Sequence, residues 1–201
     1  MNLIRPLAIP EPEFAELVAA YGQPQRHYHT LSHISALLTG MENCRALLND
    51  VEAVELAIWF HDAIYDPQAN DNEERSASLA RNILKERLIP QQLERVCALI
   101  LATKKHEIDS VTAKLAASDA AYFLDLDLQI LGAESEYYDD YEAAVRREYH
   151  YLPDSVWREG RSAVLQRFLA RPRLYFSDFF ADKLEKRARE NLAHSLEKLR
   201  V

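Results

Sequence analysis

Apolar residues recur at intervals of three and four positions along most of this 201-residue chain. Phe14, Leu17, Val18 and Tyr21 form one such stripe, which Gly22 follows. This spacing places side chains on one face of an α-helix, whereas a half-buried β-strand would alternate apolar and polar residues. The chain contains only 4 glycines and no alternating runs of β-branched residues. We therefore predict an all-α helical bundle with about eight or nine helices.

Residues that start and stop helices divide the chain into successive elements. A second helix is expected to begin near Thr30, a third to be capped by Asp50, and a later one to begin at Pro90. Gly132 is expected to end the next helix in the usual C-cap role. The remaining helices are predicted over residues 73–88, 118–131, 135–150, 154–170 and 178–199, with Ser177 capping the last of them.

The length and composition of the chain favour a single cytoplasmic domain. We expect one domain over residues 1–201, in which residues 135–201 form a C-terminal helical extension packed on the core. No run approaches the roughly 20 apolar residues that span a bilayer, and residues 1–10 lack the apolar segment of a signal peptide. Cys44 and Cys97 lie far apart within apolar helical patterns, which indicates core thiols in a reducing compartment.

The most apolar segment of the chain runs directly into a histidine and an aspartate. Residues 57–60 are apolar on every side of a helix, and His61 and Asp62 follow them. An imidazole and a carboxylate in a buried position need compensation, which a divalent cation supplies. Capping of a helix end that faces solvent explains the same pair, so this segment alone leaves both interpretations open.

Two further clusters strengthen the interpretation as a metal site. His29 and His33 are four positions apart and therefore share one face of the second helix. Asp125 and Asp127 lie in an otherwise apolar helix, where positions two apart point in nearly opposite directions. Only one of these two carboxylates can therefore face a shared site.

The set formed by His33, the His61-Asp62 pair and Asp127 resembles the signature of the HD superfamily of metal-dependent phosphohydrolases. The resemblance covers roughly residues 26–132 and implies that these four residues bind a divalent metal ion, with Asp125 as the alternative last ligand. Mn, Fe, Co, Ni, Zn and Mg are the candidate metals. Of the seven histidines, only His106 lies between the His-Asp pair and the last aspartate, so we expect one metal ion, or a second one weakly held.

A bacterial group of uncharacterised HD proteins is similar over almost the whole chain. The matching stretches are residues 26–29, 57–62, 72–77, 102–106 and 131–132, and the tail over residues 137–200. The resemblance implies a hydrolase that uses metal-activated water on a nucleotide or a small phosphate ester, as a phosphomonoesterase or a phosphodiesterase. It does not identify the substrate, because members of the superfamily act on many.

The resemblance also implies roles for individual side chains. The stretch from Tyr28 to His33 is similar to a helix of cyclic-nucleotide phosphodiesterases, which implies that His29 is a general acid. Asp62 or Asp127 is expected to help orient the attacking water, and Glu73 or Asp66 to act as a further acid. The candidates for holding the substrate are Arg26, Lys104 and its neighbour Lys105, His106, Arg146 and Arg161. An ordinary role as surface charges or helix caps explains the presence of these further acids and substrate-binding candidates equally well.

Other function classes fit the sequence less well. A net charge of −8 disfavours binding of duplex nucleic acid, which requires clustered basic residues. No Glu-x-x-His element of a ferritin-like di-iron bundle occurs. A non-catalytic nucleotide-binding or signalling module with the HD fold remains the alternative, and the chain is expected to be a monomer or a homodimer.

Overall fold

The computed structural model describes residues 4–200 and contains, within that range, nine α-helices, two short 3₁₀ turns and no β-strand. The predicted all-α fold is thereby confirmed. The helices are α1 (Glu11–Tyr21), α2 (Leu31–Cys44), α3 (Val51–Phe60), α4 (Asn72–Leu84), α5 (Pro90–Ala102), α6 (Ser110–Asp127), α7 (Ser135–Glu148), α8 (Asp154–Leu169) and α9 (Asp178–Lys198).

The chain divides into two compact units, with the boundary between Leu126 and Asp127. Our expectation of one domain with an extension from residue 135 stays a prediction. In the part of the chain that is described, no helix is long and apolar enough to cross a membrane. Cys44 and Cys97 are buried free thiols, as their positions within helical stripes predicted.

Helix α3 is the central element of the first unit. Its residues from Ala53 to Phe60 are buried, with Glu55 as the exception, and the helix packs against α2, α4 and α5. The phenol of Tyr21 donates to the backbone oxygen of Trp59 at 2.9 Å and fastens α1 to the same helix. A helix that is apolar on all sides gains most from burial, so the sequence places the end of α3 deep in this unit.

The start of α3 is fixed by two buried or half-buried carboxylates. The side chain of Asp50 accepts the amide N–H of Ala53 at 3.0 Å, which confirms it as the N-cap. Asp50 also pairs with Arg95 at 2.9 Å. From α6, the buried side chain of Asp119 accepts the amide N–H groups of Asn49 and Asp50 at 2.7 and 3.0 Å. These bonds satisfy backbone donors ahead of the helix and set where α3 begins.

Two predicted helix boundaries in the first unit are wrong. Helix α4 ends at Leu84 rather than Leu88, and the chain continues in turns toward Pro90. Helix α6 begins at Ser110 rather than Ser118 and is kinked at Ala116, whose φ and ψ are −156° and 34°. It ends at Asp127, and a separate 3₁₀ turn covers Gln129–Gly132.

In the second unit, α9 packs against α8 and against the 3₁₀ turn Gln129–Gly132. Gly132 lies within this turn, after α6 has ended at Asp127, and its φ is not positive, so its predicted role as the C-cap of the helix is wrong. The close approach of α9 explains the glycine instead, because a Cβ atom there would lie 2.6 Å from the Cβ of Leu184. Asn191 of α9 donates to the backbone oxygens of Leu131 and Ala133 at 2.8 and 2.9 Å and holds the turn in place.

Candidate metal centre

Three side chains that the sequence analysis singled out as metal ligands converge in the first unit. His33 lies in the first turn of α2, which is capped by Thr30, while His61 and Asp62 directly follow α3. The Nε2 atoms of His33 and His61 lie 3.2 Å apart, and Oδ2 of Asp62 lies 3.0 Å from His61 Nε2 and 3.8 Å from His33 Nε2. The two imidazoles are buried, and the Asp62 side chain is 20% exposed.

The tautomer of His61 determines what this cluster can bind. Its Nδ1 atom lies 2.9 Å from the backbone oxygen of Ile58. Because a carbonyl oxygen only accepts hydrogen bonds, Nδ1 carries the proton and Nε2 of the neutral ring presents a lone pair. That lone pair faces the carboxylate of Asp62 and the ring of His33. The cluster therefore requires a proton or a cation between its members.

The spacing of the three atoms suits a metal ion. Nitrogen and oxygen ligands about 2.1 Å from a divalent cation, at angles of about 90–110°, lie roughly 3.0–3.4 Å from one another. Two of the three separations, 3.0 and 3.2 Å, fall in this range, and the third is 3.8 Å. His33, His61 and Asp62 could therefore hold a metal ion, and a mixed nitrogen and oxygen set suits first-row transition metals.

The electrostatics of the cluster keep Asp62 ionised. Burial raises the pKa of the Asp62 carboxyl, but the charges of His61, His29 and His33 and the hydrogen bond from His61 outweigh this and leave its pKa well below the ordinary value. An ionised carboxylate is the form that binds a cation. The cluster therefore offers an anionic carboxylate beside two imidazole nitrogens.

His29, the predicted general acid, lies beside the cluster and is partly exposed. Its ring centroid is 6.0 Å from that of His33, and its ring stacks on Tyr65 at 4.2 Å with 28° between the planes. Tyr28 contacts both rings, at 5.0 Å from His29 and 4.9 Å from His33. His33, in the first turn of α2, thus presents its imidazole to the cluster. His29 lies before the helix, so the prediction that the two histidines share one face of the second helix is wrong, and its ring lies at the edge of the cluster instead.

The loop after Asp62 is held by two side chains of α4 that the sequence analysis did not assign to the site. Asn72 donates to the backbone oxygen of Asp66 at 2.8 Å and accepts its amide N–H at 3.1 Å. The hydroxyl of the buried Ser76 accepts the amide N–H of Ile64 at 3.1 Å. A serine on the apolar face of α4 was the one sequence signal available for this contact.

The residues predicted to hold a substrate are mostly engaged within the protein. Lys104 bonds to the backbone oxygen of Asn70 at 2.8 Å and pairs with Glu74. Lys105 is exposed, and His106 lies beyond the end of α5 with a positive φ of 50°. Glu73 is half-buried in the first turn of α4, and Asp66 is exposed. Their catalytic and substrate roles stay predictions.

Two of the arginines that were predicted to hold the substrate lie in the second unit, where they form hydrogen bonds with neighbouring residues. Arg146 donates to the backbone oxygens of Tyr149 and Leu152 at 2.7 and 3.1 Å, in the turn between α7 and α8. Arg161 forms a two-point ion pair with Glu142, at 2.5 and 3.1 Å, on a side chain that is only 10% exposed. Both guanidinium groups have a structural role that their sequence positions did not indicate.

Neither candidate for a fourth metal ligand belongs to the converging group. Asp127, our first choice, is the last residue of α6 and the first of the second unit, whereas the alternative Asp125 lies in the first unit and is fully buried. Both assignments stay predictions.

No family model, no curated protein and no solved structure matches the chain. The resemblance to the HD superfamily therefore rests on the residues quoted above.

Proposed function

We propose that this protein is a metal-dependent phosphohydrolase that acts on a nucleotide or a small phosphate ester. The observation that carries the proposal is the convergence of His33, His61 and Asp62, with a fourth polar side chain, that of His29, at the edge of the cluster. Buried imidazoles and a carboxylate whose lone pairs face one another are costly without a cation. If the three side chains had only a structural role, nothing would compensate the free-energy cost of burying them together.

The three converging side chains would hold the metal ion and fix its position. His61 is oriented by its bond to the carbonyl of Ile58, and His33 by the first turn of α2. When bound, a divalent cation lowers the pKa of water and polarises a phosphoryl oxygen. The ionised carboxylate of Asp62 can accept a hydrogen bond from the attacking water and orient it toward phosphorus.

His29 is proposed to protonate the leaving oxygen. As the bond between phosphorus and that oxygen breaks, the imidazolium N–H proton passes to the oxygen, and the ring is left neutral. Stacking on Tyr65 fixes the plane of the ring, and its partial exposure lets solvent return the proton. This division of labour assigns metal binding to His33 in α2 and acid catalysis to His29 in the segment just before that helix.

Phosphate release tests the proposal. Purified protein is incubated with a panel of nucleotides, cyclic nucleotides and phosphomonoesters in the presence of Mn²⁺, Co²⁺, Ni²⁺ or Mg²⁺. We expect metal-dependent release from at least one substrate, lowered about 10²–10⁴-fold by His29→Ala and unchanged by His194→Ala, which alters an exposed histidine of α9.

Two results would contradict this function. Equal release by the wild-type protein and the His29→Ala variant would remove His29 from the mechanism. Thermal stabilisation by a nucleotide without release under any of the metals would instead identify a nucleotide-binding module.

A further inference from the structure

Arg26 is a buried cation whose hydrogen bonds go to the backbone around the metal cluster. It is 4% exposed and lies in the segment between α1 and α2. Its Nη1 donates to the backbone oxygens of Asp62 and His29 at 2.7 and 3.2 Å, and its Nη2 donates to that of Ala63 at 3.0 Å. Its Nε donates to the side chain of Gln23 at 3.4 Å. Four of the five N–H donors of the guanidinium therefore have acceptors within the protein.

The faces of the same guanidinium are covered by aromatic rings. Its carbon lies 5.0 Å from the ring centroid of Tyr21 and 5.4 Å from that of Tyr65. Tyr65 in turn stacks on His29 at 4.2 Å. Arg26 thus acts on His29 twice, through the backbone carbonyl of that residue and through the ring on which its imidazole rests. Cation–π contacts and charge-assisted hydrogen bonds together offset the cost of burying the charge.

The carbonyls that Arg26 binds belong to the two segments that carry the cluster. One segment leads into α2 with His29 and His33, and the other is the turn after α3 with Asp62 and Ala63. The bonded carbonyls of His29 and Asp62 are more than 30 residues apart in sequence, and one guanidinium bridges them. Partners that orient metal ligands commonly change metal affinity when they are removed, although they do not touch the metal.

We propose that Arg26 is a positioning residue of the metal centre, which sets the separation of the His29–His33 segment from the His61–Asp62 turn. This inference rests on the metal-binding part of the proposed function. It differs from the phosphate contact expected from the sequence, because the donors of Arg26 point to backbone carbonyls. A lysine cannot replace it fully, since one ammonium cannot reach three carbonyls with a planar fork.

Arg189 provides a control, because it makes the same number and kinds of hydrogen bonds in the second unit, on a side chain that is 32% exposed. Its Nη atoms donate to the backbone oxygens of Leu169, Arg171 and Pro172 at 3.2, 2.8 and 3.0 Å, and its Nε donates to Glu185 at 2.7 Å. Both arginines bind three carbonyls and one side-chain oxygen. Only Arg26 binds carbonyls of the residues that flank the candidate metal centre.

The first measurement is Co²⁺ binding, followed by calorimetry and by the visible absorption of the bound ion, in folded samples verified by circular dichroism. We expect the dissociation constant to rise about 10–100-fold in Arg26→Gln, with a changed absorption spectrum. Arg26→Lys should recover part of the affinity, and Arg189→Gln should leave both the affinity and the spectrum unchanged.

The second measurement needs no metal. The ring resonances of His29, His33 and His61 are recorded by NMR in the metal-free protein, and we expect them to shift in Arg26→Gln but not in Arg189→Gln. If Arg26→Gln does not fold, the same spectra of Arg26→Lys decide, because that variant keeps the buried charge and loses the fork.

The two measurements separate the inference from the function on which it rests. A folded Arg26 variant with wild-type Co²⁺ affinity and unshifted ring resonances overturns the positioning role and leaves the metal site intact. Wild-type protein that binds no Co²⁺, while the Arg26 variant still shifts the three rings, overturns the metal site and keeps the positioning role.

Discussion

At the scale of single residues, the candidate site depends on which nitrogen of His61 carries the proton. The carbonyl oxygen of Ile58 accepts a hydrogen bond from the Nδ1–H of His61, and the other ring nitrogen, Nε2, faces Asp62 and His33. Adjacent residues in a chain usually point apart, but the end of α3 lets His61 and Asp62 turn the same way. A short turn after a buried helix thus creates two of the three ligands.

The last ligand is the residue whose identity the sequence leaves open. The resemblance to the HD superfamily makes Asp127 the first choice for this ligand and Asp125 the alternative. We therefore expect Asp127→Asn to lower Co²⁺ affinity at least tenfold, and Asp125→Asn to lower it less. Calorimetric titration of both variants measures this, and the reverse order would make Asp125 the ligand.

At the scale of elements, the position of α3 is set at its start as well as at its end. The buried carboxylate of Asp119 accepts two backbone amides just ahead of the helix. Asp119→Ala would leave both amides without this partner, and we expect it to cost about 2–3 kcal/mol of unfolding free energy. Urea denaturation measures the loss.

Asp109→Ala is the comparison for this variant. Asp109 is exposed and accepts the single amide of Thr112 at 2.7 Å at the start of α6. Loss of such a cap costs about 1 kcal/mol. If the two variants lose equal stability, the carboxylate of Asp119 has no special role in placing α3.

The helices whose bounds were predicted well are those with a recognisable boundary residue in the sequence. Pro153 precedes α8 and Ser177 caps α9, and the observed bounds of α7, α8 and α9 lie within two residues of the predicted ones. The kink in α6 had no such signal, since Ala116 is a good helix former. The kink occurs beside Leu115, whose backbone oxygen accepts a hydrogen bond from Nε of Arg95 in α5 at 2.9 Å. The two residues are 20 positions apart in sequence.

The same distinction applies to the candidate site. His33, His61 and Asp62 could be predicted because ligand side chains have a recognisable type and spacing. The positions of Arg26, Tyr65 and Ser76 could not, because their partners are backbone carbonyls, a backbone amide and a ring from another segment. Backbone acceptors are the same at every residue, so no pattern in the sequence marks the ones that are used.

At the scale of the whole molecule, the chain contains two compact units. Gly132→Ala would bring a Cβ within 2.6 Å of the Leu184 side chain, and we expect a loss of about 1–3 kcal/mol from overpacking. Gly160→Ala meets no atom within 4 Å in α8 and should gain about 0.5–1 kcal/mol, since glycine weakens helices. Urea denaturation measures both.

These paired glycine variants test how closely α9 packs on the turn at Gln129–Gly132. A neutral Gly132→Ala variant would contradict the close approach of α9. Metal affinity provides a second readout of the same variants, because the three converging ligands belong to the first unit. We expect it to be unchanged in Gly160→Ala.

Metal stoichiometry tests most directly whether His33, His61 and Asp62 hold a metal ion. The wild-type protein, Asp62→Asn and the exposed-site control His194→Ala are loaded with Co²⁺, dialysed against metal-free buffer and analysed by inductively coupled plasma mass spectrometry. We predict about one ion per chain in the wild-type protein and the control, and almost none in Asp62→Asn, which lacks the anionic ligand. Equal metal in all three proteins, or none in the wild type, would contradict the account.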